Sequence, residues 1–401
     1  MYGCMGVWKC GSVSSLHFQP VLPNIPHRQT RGASMKVNRL GPLRQGLLTV
    51  VLLAVIAFAG YRAYSSYRQQ QTSNLTGGRI SGLKPIPTTN KEIHDVLPPD
   101  AILAISKPTF VSATRAKVQP EAPMIAVTIG NTTHAYSLHL LDGHEIVNDI
   151  IEGKPIATTW CPLCGTAIVY SRKMDGETHE FGVSGKLWRN SLVMFDRKTR
   201  SLWSHFNGEC LDGKLKGKRL EMVAAMPRVT WAELKESHPD AQVLSVGDTQ
   251  EGSNRYEMYQ ASSEIGIMGD ALKDDRLPPK QMVVGVNLGA AQKAYPFPVF
   301  EKRSVFNDTV GGKDLVVFRD DRSLAVAVYQ ATINGKKIVF PQNAKGYRVQ
   351  DSSTGSTWNL ISAKAIAGGL KGRSLTAVPS IAAYWFAWCD FYPKTKVFTE
   401  K

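Results

Sequence analysis

The sequence predicts a β-rich α+β fold of two tandem homologous β modules with a few short helices, preceded by an N-terminal hydrophobic segment. Three observations support this prediction. The chain repeats itself internally, its body consists of short apolar or alternating runs closed by turn residues, and one apolar run lies near the N-terminus.

The internal repeat appears as matching residues at a nearly constant spacing. The shift between the copies is 159 residues at first, then 155 and finally 154, as three aligned blocks show: Val127–Gly130 with Val286–Gly289, Trp203 with Trp358, and Trp231 with Trp385. Residues that both copies keep are expected to be scaffold. Residues found in one copy alone are better candidates for chemistry.

Local patterns predict the elements of each module. Strands are expected at runs such as Ile156–Trp160 and Leu315–Phe318. Two turn dipeptides in matching places, Asp175-Gly176 and Asn334-Gly335, predict β-hairpins. We expect helices over Trp231–Ser237 and Ile381–Asp390, core anchoring by the two matched tryptophan pairs, and turn caps at the shared pairs Asn148-Asp149 and Asn307-Asp308.

These patterns divide the chain into five segments. We interpret residues 1–34 as an upstream extension, 35–68 as a signal anchor or signal peptide, 69–95 as a flexible linker, 96–250 as repeat one and 251–401 as repeat two. The linker prediction follows from its polar residues, its Gly-Gly pair and its prolines.

The net charge of +15 is concentrated in the leader. Residues 1–91 hold eleven Lys or Arg and no Asp or Glu, so the remaining 310 residues carry 37 basic and 33 acidic side chains. A nucleic-acid footprint would lie on the folded body, so no nucleic-acid partner is expected. Lys36, Arg39 and Arg44 precede the apolar run Leu47–Ala59, which is the order of a signal sequence.

This leader leaves two alternatives open. The apolar run is short for a membrane span, which favours a cleaved signal peptide, whereas Arg62 just after the run favours an uncleaved anchor. Both alternatives place the body on the extracytoplasmic side, periplasmic and either membrane-tethered or released. The expected partner is therefore the membrane, through the N-terminal anchor.

The strongest chemical motif is Cys161-Pro162-Leu163-Cys164-Gly165 in repeat one. Two thiols at this spacing can bind one metal ion, and the glycine permits a tight turn. They can equally form a redox pair, a nucleophile or a local disulfide. The matching segment of repeat two, residues 319–323, contains no thiol, so the fold does not require the pair.

The histidine at position 144 also belongs to repeat one alone, since Arg303 stands in its place in repeat two. Cys161, Cys164 and His144 are therefore the predicted metal ligands, for copper or zinc. The remaining candidates are Ser184 in a glycine-rich run, and His205 and Cys210 after the first matched tryptophan.

Four segments together resemble a known family. They are Cys161–Gly165, His144–Asp149 upstream, Phe181–Gly185 downstream and Tyr384–Pro393 near the C-terminus. With them the chain resembles a bacterial and archaeal family classed as domain of unknown function 3179, over roughly residues 95–400. The resemblance places His144, Cys161, Cys164 and Ser184 at typical positions of that family, whereas His205 and Cys389 depart from its usual residues. It implies no activity.

Three functions remain open. The chain is expected to be an exported protein with a thiolate copper or zinc site in repeat one. It could instead be a thiol-dependent enzyme or redox protein using Cys161 and Cys164, or a non-catalytic binding module in which the two cysteines form a structural disulfide.

Overall fold

The computed structural model describes residues 84–269, 273–320 and 325–399. Its first half contains the helices α1 (Leu138–Leu141) and α2 (Trp231–Ser237). The strands of this half are β1 (Ile93–Asp95), β2 (Thr109–Ser112), β3 (Pro123–Ile129), β4 (Thr132–Ser137), β5 (Ile146–Ile151), β6 (Lys154–Cys161), β7 (Thr166–Ser171), β8 (Lys173–Met174), β9 (Glu177–Thr178), β10 (Phe181–Trp188), β11 (Ser191–Asp196), β12 (Leu202–Ser204), β13 (Cys210–Asp212), β14 (Met222–Val223), β15 (Met226–Thr230) and β16 (Gln242–Ser245).

The second half contains α3 (Glu257–Ala261), the 3-10 helix η1 (Phe297–Phe300) and α4 (Trp385–Phe391). Its strands are β17 (Met282–Leu288), β18 (Ala291–Pro296), β19 (Val305–Val310), β20 (Lys313–Arg319), β21 (Val326–Gln330), β22 (Thr332–Ile333), β23 (Lys336–Lys337), β24 (Arg348–Gln350), β25 (Thr357–Asn359), β26 (Lys364–Ala367), β27 (Thr376–Val378), β28 (Ser380–Tyr384) and β29 (Lys396–Val397).

The two halves match sheet by sheet. The order β15-β3-β4-β16 in the first half corresponds to β28-β17-β18-β29 in the second, and β14-β7-β6-β5 corresponds to β27-β21-β20-β19. The strands β11, β12 and β13 correspond to β24, β25 and β26. Strand β16 pairs in parallel with β4, and β29 pairs in parallel with β18. The other pairs of these two sheets, including β16 with the edge strand β2, are antiparallel. The predicted β-rich fold of two homologous modules is confirmed.

Residues shared by the copies make the same contacts in both. Trp203 and Trp358 are fully buried, and each indole Nε1–H donates to an aspartate seven residues earlier, at 3.2 and 2.8 Å. Asn148 and Asn307 each bind the backbone of a phenylalanine 33 residues later, accepting from its N–H and donating to its carbonyl. The shared residues are scaffold, as the comparison of the copies predicts.

Two local predictions need correction. The pairs Asn148-Asp149 and Asn307-Asp308 lie inside β5 and β19 rather than at turns, because their side chains bind neighbouring strands. The segment predicted as a helix over Ile381–Asp390 begins as strand β28, because its alternating small and apolar residues pair with β17. The hairpins at Asp175-Gly176 and Asn334-Gly335 are confirmed, with the left-handed backbone that such turns require.

The two modules share their cores reciprocally. The sheet of β15, β3, β4 and β16 packs with the second module in one hydrophobic cluster, which includes Trp231 and Trp358. The corresponding sheet of the second module, together with α4, packs with the first module in another cluster, which includes Trp203, Trp385 and both cysteines of the Cys161–Gly165 motif. The motif therefore lies where the second module, which lacks it, covers the first.

The N-terminal predictions fall mostly outside the described residues. This applies to the extension 1–34, the signal segment 35–68 and residues 69–83 of the predicted linker. Residues 84–95 belong to the folded part, since Ile86 is buried and β1 pairs with β10. Of the helices in the described part of the chain, none has the length and apolar character needed to cross a membrane.

Candidate functional site

The Cys161–Gly165 motif forms the turn between two antiparallel strands. Cys161 ends β6 and lies opposite Thr166, the first residue of β7. Gly165 has a φ of +66°, and a Cβ there would lie 3.1 Å from the Tyr384 ring, so glycine is required for both conformation and space. Both thiols are buried, with 2% and 0% of Cys161 and Cys164 exposed. The turn therefore presents two adjacent sulfurs to an enclosed site.

A chain of hydrogen bonds leads from Cys164 to the imidazole of His205. The Cys164 sulfur lies 2.9 Å from the hydroxyl of Thr166, and that hydroxyl lies 2.7 Å from Nε2 of His205. The other ring nitrogen, Nδ1, lies 2.9 Å from the hydroxyl of Thr159, which donates to the Ile168 carbonyl at 2.6 Å. All members are buried.

The direction of these bonds follows from the one fixed acceptor. Because the Ile168 carbonyl can only accept, Thr159 uses its hydrogen there and must accept from Nδ1–H of His205. In a neutral imidazole Nε2 is then the acceptor, so Thr166 donates to it and accepts the thiol hydrogen of Cys164. The arrangement is a path along which the Cys164 proton can pass through Thr166 to His205.

The pKa values differ across this path. Burial raises the pKa of Cys164, but hydrogen bonds with Cys161, Thr166 and Ser191 outweigh it and hold the pKa below the ordinary 9.0. Burial raises the pKa of Cys161 well above its ordinary value. Burial lowers the pKa of His205 to about 4, so its imidazole is neutral at pH 7, can accept a hydrogen bond at Nε2 and holds an added proton only weakly.

A buried carboxyl group lies beside the second thiol. Burial, with the charge of Cys161 as a smaller cause, raises the pKa of Glu145 well above its ordinary value. Glu145 has a φ of +57°, a conformation that costs energy in a residue other than glycine. Its counterpart Ser304 makes the same backbone bond, since Trp160 N donates to Glu145 O at 2.8 Å and Arg319 N donates to Ser304 O at 2.9 Å. Ser304 does not share the left-handed backbone, so the strain belongs to the thiol-bearing copy.

Aromatic residues from beyond repeat one cover the turn. Tyr384 N donates to Cys164 O at 3.0 Å, and the Tyr259 hydroxyl donates to Leu163 O at 2.7 Å. Lys280 Nζ lies 3.7 Å from the centre of the Tyr259 ring and donates to Ser262 O at 3.0 Å. These contacts hold the Tyr384 backbone and the Tyr259 side chain against the turn.

The structure brings together three of the predicted site residues and separates the others. Cys161, Cys164 and His205 lie in one cluster. His144 instead donates from Nδ1 to Leu103 O at 2.8 Å, and the side chain that interacts with Cys161 is that of its neighbour Glu145.

The remaining two candidates make structural contacts. The Ser184 hydroxyl donates to Val193 O and accepts from Lys186 N within a bulge of β10. The Cys210 thiol donates to Asp212 O at 3.4 Å, and burial raises its pKa to about 12.

Sequence reasoning missed the hydroxyl groups of the site. Thr159 and Thr166 flank the motif, but threonine is common in strands and neither position signals a relay. Glu145 was visible as a difference between the copies, whereas its left-handed backbone and its interaction with Cys161 follow only from the structure.

The cysteines of the described residues are all free thiols, so the structural disulfide considered above is not formed. Across residues 84–269, 273–320 and 325–399, no group of three or more His, Cys, Asp or Glu side chains is arranged to hold a metal ion. The site consists of two thiols, a neutral imidazole, a buried carboxyl group and bridging hydroxyls.

Comparison with known proteins supports the resemblance seen in the sequence. A family model described as "Protein of unknown function (DUF3179)" matches residues 99–395, which is most of the chain. No curated protein and no solved structure matches it. The chain therefore belongs to the DUF3179 family.

Proposed function

We propose that the chain is a thiol–disulfide oxidoreductase whose reactive pair is Cys164 and Cys161. The observation that carries this proposal is the path from the Cys164 thiol through Thr166 to neutral His205. A thiol reacts as its thiolate, so a group that takes the proton at the moment of attack accelerates the reaction. Because the sulfurs of Cys161 and Cys164 are adjacent, Cys161 can attack a mixed disulfide formed at Cys164 and release the substrate.

The reaction follows from this geometry in two exchanges. Cys164 sulfur attacks one sulfur of a disulfide substrate, a mixed disulfide forms and one substrate thiolate leaves. The Cys164 proton passes to Thr166, whose own proton passes to Nε2 of His205, and the leaving thiolate finally takes it. Cys161 then attacks the Cys164 sulfur of the mixed disulfide, which releases the second substrate thiol. The protein pair is oxidised to a disulfide and the substrate is reduced to two thiols.

The test is to trap the intermediate by mass spectrometry. The Cys161→Ser variant, treated with a small disulfide, should retain a mixed disulfide at Cys164, because no second thiol resolves it. Wild-type protein should instead form the Cys161–Cys164 disulfide. The Cys164→Ser variant should form neither product, and Cys210→Ser, which removes a buried thiol of raised pKa, should behave as wild type. An unmodified Cys164 in the Cys161→Ser variant would contradict the proposal.

A second candidate is binding of copper or zinc by the two sulfurs. The pKa of both thiols responds to a hydrogen bond between them, so the sulfurs are adjacent, and thiolates are preferred ligands of Cu(I). Two sulfurs alone suit two-coordinate Cu(I), whereas a zinc site would need further ligands, and the predicted ligand His144 binds the Leu103 carbonyl instead. Metal analysis of protein purified under reducing conditions tests this candidate, with Cys161→Ser/Cys164→Ser as the control.

We also propose that the folded body is exported and, with an uncleaved leader, tethered to the membrane. The support is the order of positive charges and the apolar run within residues 35–68. Protease accessibility in intact cells or spheroplasts tests the side of the membrane, and N-terminal sequencing separates an anchor from a cleaved signal peptide. Protection of the body in spheroplasts until the spheroplasts are lysed would contradict export.

A further inference from the structure

A single inserted residue places an arginine beside the thiol turn. In β15, Met226 pairs with Ala126 of β3 and Val229 pairs with Met124. A spacing of three residues on β15 therefore lies opposite a spacing of two residues on β3. In the matching strand β28, Ile381 and Ala383 pair with Gly285 and Val283 without an extra residue. This β-bulge accounts for the change of the repeat shift from 155 to 154 residues.

The bulge contains Arg228, in a conformation unusual for its residue type. Its φ is +62°, whereas no residue of β28 has a positive φ. Left-handed backbone in a non-glycine residue is held only by its surroundings and concentrates at functional sites. Like Glu145, Arg228 is therefore a strained feature of the thiol-bearing copy that the scaffold does not require.

The guanidinium group of Arg228 uses few of its donors. Its Nη2 donates to the Gly165 carbonyl at 3.3 Å, and its carbon lies 5.2 Å from the centre of the Trp160 ring. Its Nε is buried without a hydrogen-bond partner, and Arg228 takes part in no ion pair of the described residues. The residue as a whole is partly exposed. The guanidinium group of Arg228, with donors not used in hydrogen bonds, therefore lies beside the turn.

We propose that Arg228 binds an anionic group of the substrate, which is a disulfide carrying carboxylate groups. A guanidinium group can donate two parallel hydrogen bonds to a carboxylate, and partial desolvation makes this pairing strong. The charge of Arg228 interacts with Asp142, but its buried Nε donor has no hydrogen-bond partner, and a substrate anion would supply one. This inference rests on the proposed oxidoreductase function and adds its substrate class.

The test compares two disulfides of opposite charge on the reduced protein. The anionic reagent is 5,5′-dithiobis(2-nitrobenzoic acid) and the cationic reagent is cystamine, with the rate of modification of Cys164 followed by mass spectrometry. Arg228→Gln should slow the anionic reagent about tenfold, as expected for loss of a charge-assisted hydrogen bond. The cystamine rate should stay equal or rise, and Arg228→Lys should recover part of the loss. Arg219→Gln, at an exposed arginine paired with Glu209, is the matched control.

The outcomes separate the two proposals. An equal loss with both reagents, or no loss with either, overturns the role of Arg228 in substrate binding. Wild-type protein in which Cys164 reacts with neither reagent overturns the oxidoreductase function itself. Circular dichroism and thermal unfolding of Arg228→Gln identify a variant that fails to fold, and in that case Arg228→Lys alone is scored by the ratio of its two rates.

Discussion

Replacing Thr166 by valine tests the proton path with the smallest change in shape. Valine keeps the β-branched shape that suits the start of β7 and removes only the hydroxyl. That hydroxyl lies 2.9 Å from the Cys164 sulfur and 2.7 Å from Nε2 of His205. Both contacts are lost at once, so the thiol loses its only relay to the imidazole among the described residues.

The expected loss can be worked out from these two contacts. A hydrogen bond to a forming thiolate involves a charged group and contributes about 1.5–3 kcal/mol. Since about 1.4 kcal/mol corresponds to a factor of ten, the rate of Cys164 alkylation at pH 7 should fall about ten- to hundredfold. The unpaired Nε2 should also lower the free energy of unfolding by about 1–3 kcal/mol.

The assay is iodoacetamide labelling of the reduced protein, quantified at Cys164 by peptide mass spectrometry. Thr158→Val is the matched control. Successive residues of a strand point to opposite faces, so this buried threonine of β6 points away from the face that carries Thr159 and Cys161. A wild-type alkylation rate in Thr166→Val, or an equal loss in Thr158→Val, would refute the relay.

Two further predictions concern access and acid stability. Tyr259→Phe removes the bond to Leu163 O and should raise the alkylation rate of Cys164 several-fold by loosening the cover, whereas an unchanged rate would show that this bond does not limit access. His205 has a folded pKa of about 4, below its ordinary 6.5. Between pH 4 and pH 6.5, His205 binds a proton more readily in the unfolded chain than in the folded protein. The contribution of neutral His205 to stability is therefore complete above pH 6.5 and is lost as the pH falls towards 4, by about 3 kcal/mol in all. Urea unfolding of wild type and His205→Gln should show this difference in slope, and parallel pH profiles would contradict it.

The scaffold was largely predictable because the sequence contains two copies of the module, whose shared residues can be compared. Matching positions such as Trp203 and Trp358 pack and bond alike, and the helix over Trp231–Ser237 has the predicted bounds. The strand character of residues 381–384 was missed because their pairing with β17 is a long-range contact, which overrides local preference.

The site was predictable only in its sulfurs. The differences between the copies indicated Cys161, Cys164 and the His144-Glu145 pair. They did not indicate that Glu145, with its left-handed backbone, is the member of that pair that interacts with Cys161. His205 reaches the thiol through Thr166 from a distant part of the sequence. In the sequence, the bulge that contains Arg228 was visible only as the change of the repeat shift from 155 to 154 residues. The pairing register of β15 was needed to identify this change as a bulge.

The central claim is that Cys164 is the reactive one of four buried cysteines, because hydrogen bonds lower its pKa while burial raises the pKa of the others. The most direct measurement is the pH dependence of iodoacetamide labelling of all four body cysteines within one wild-type sample. Cys164 should label fastest, with a midpoint below pH 9, while Cys161, Cys210 and Cys389, whose pKa values burial raises, should lag behind it. Labelling of Cys164 no faster than Cys210, with a midpoint above pH 9, would contradict the account.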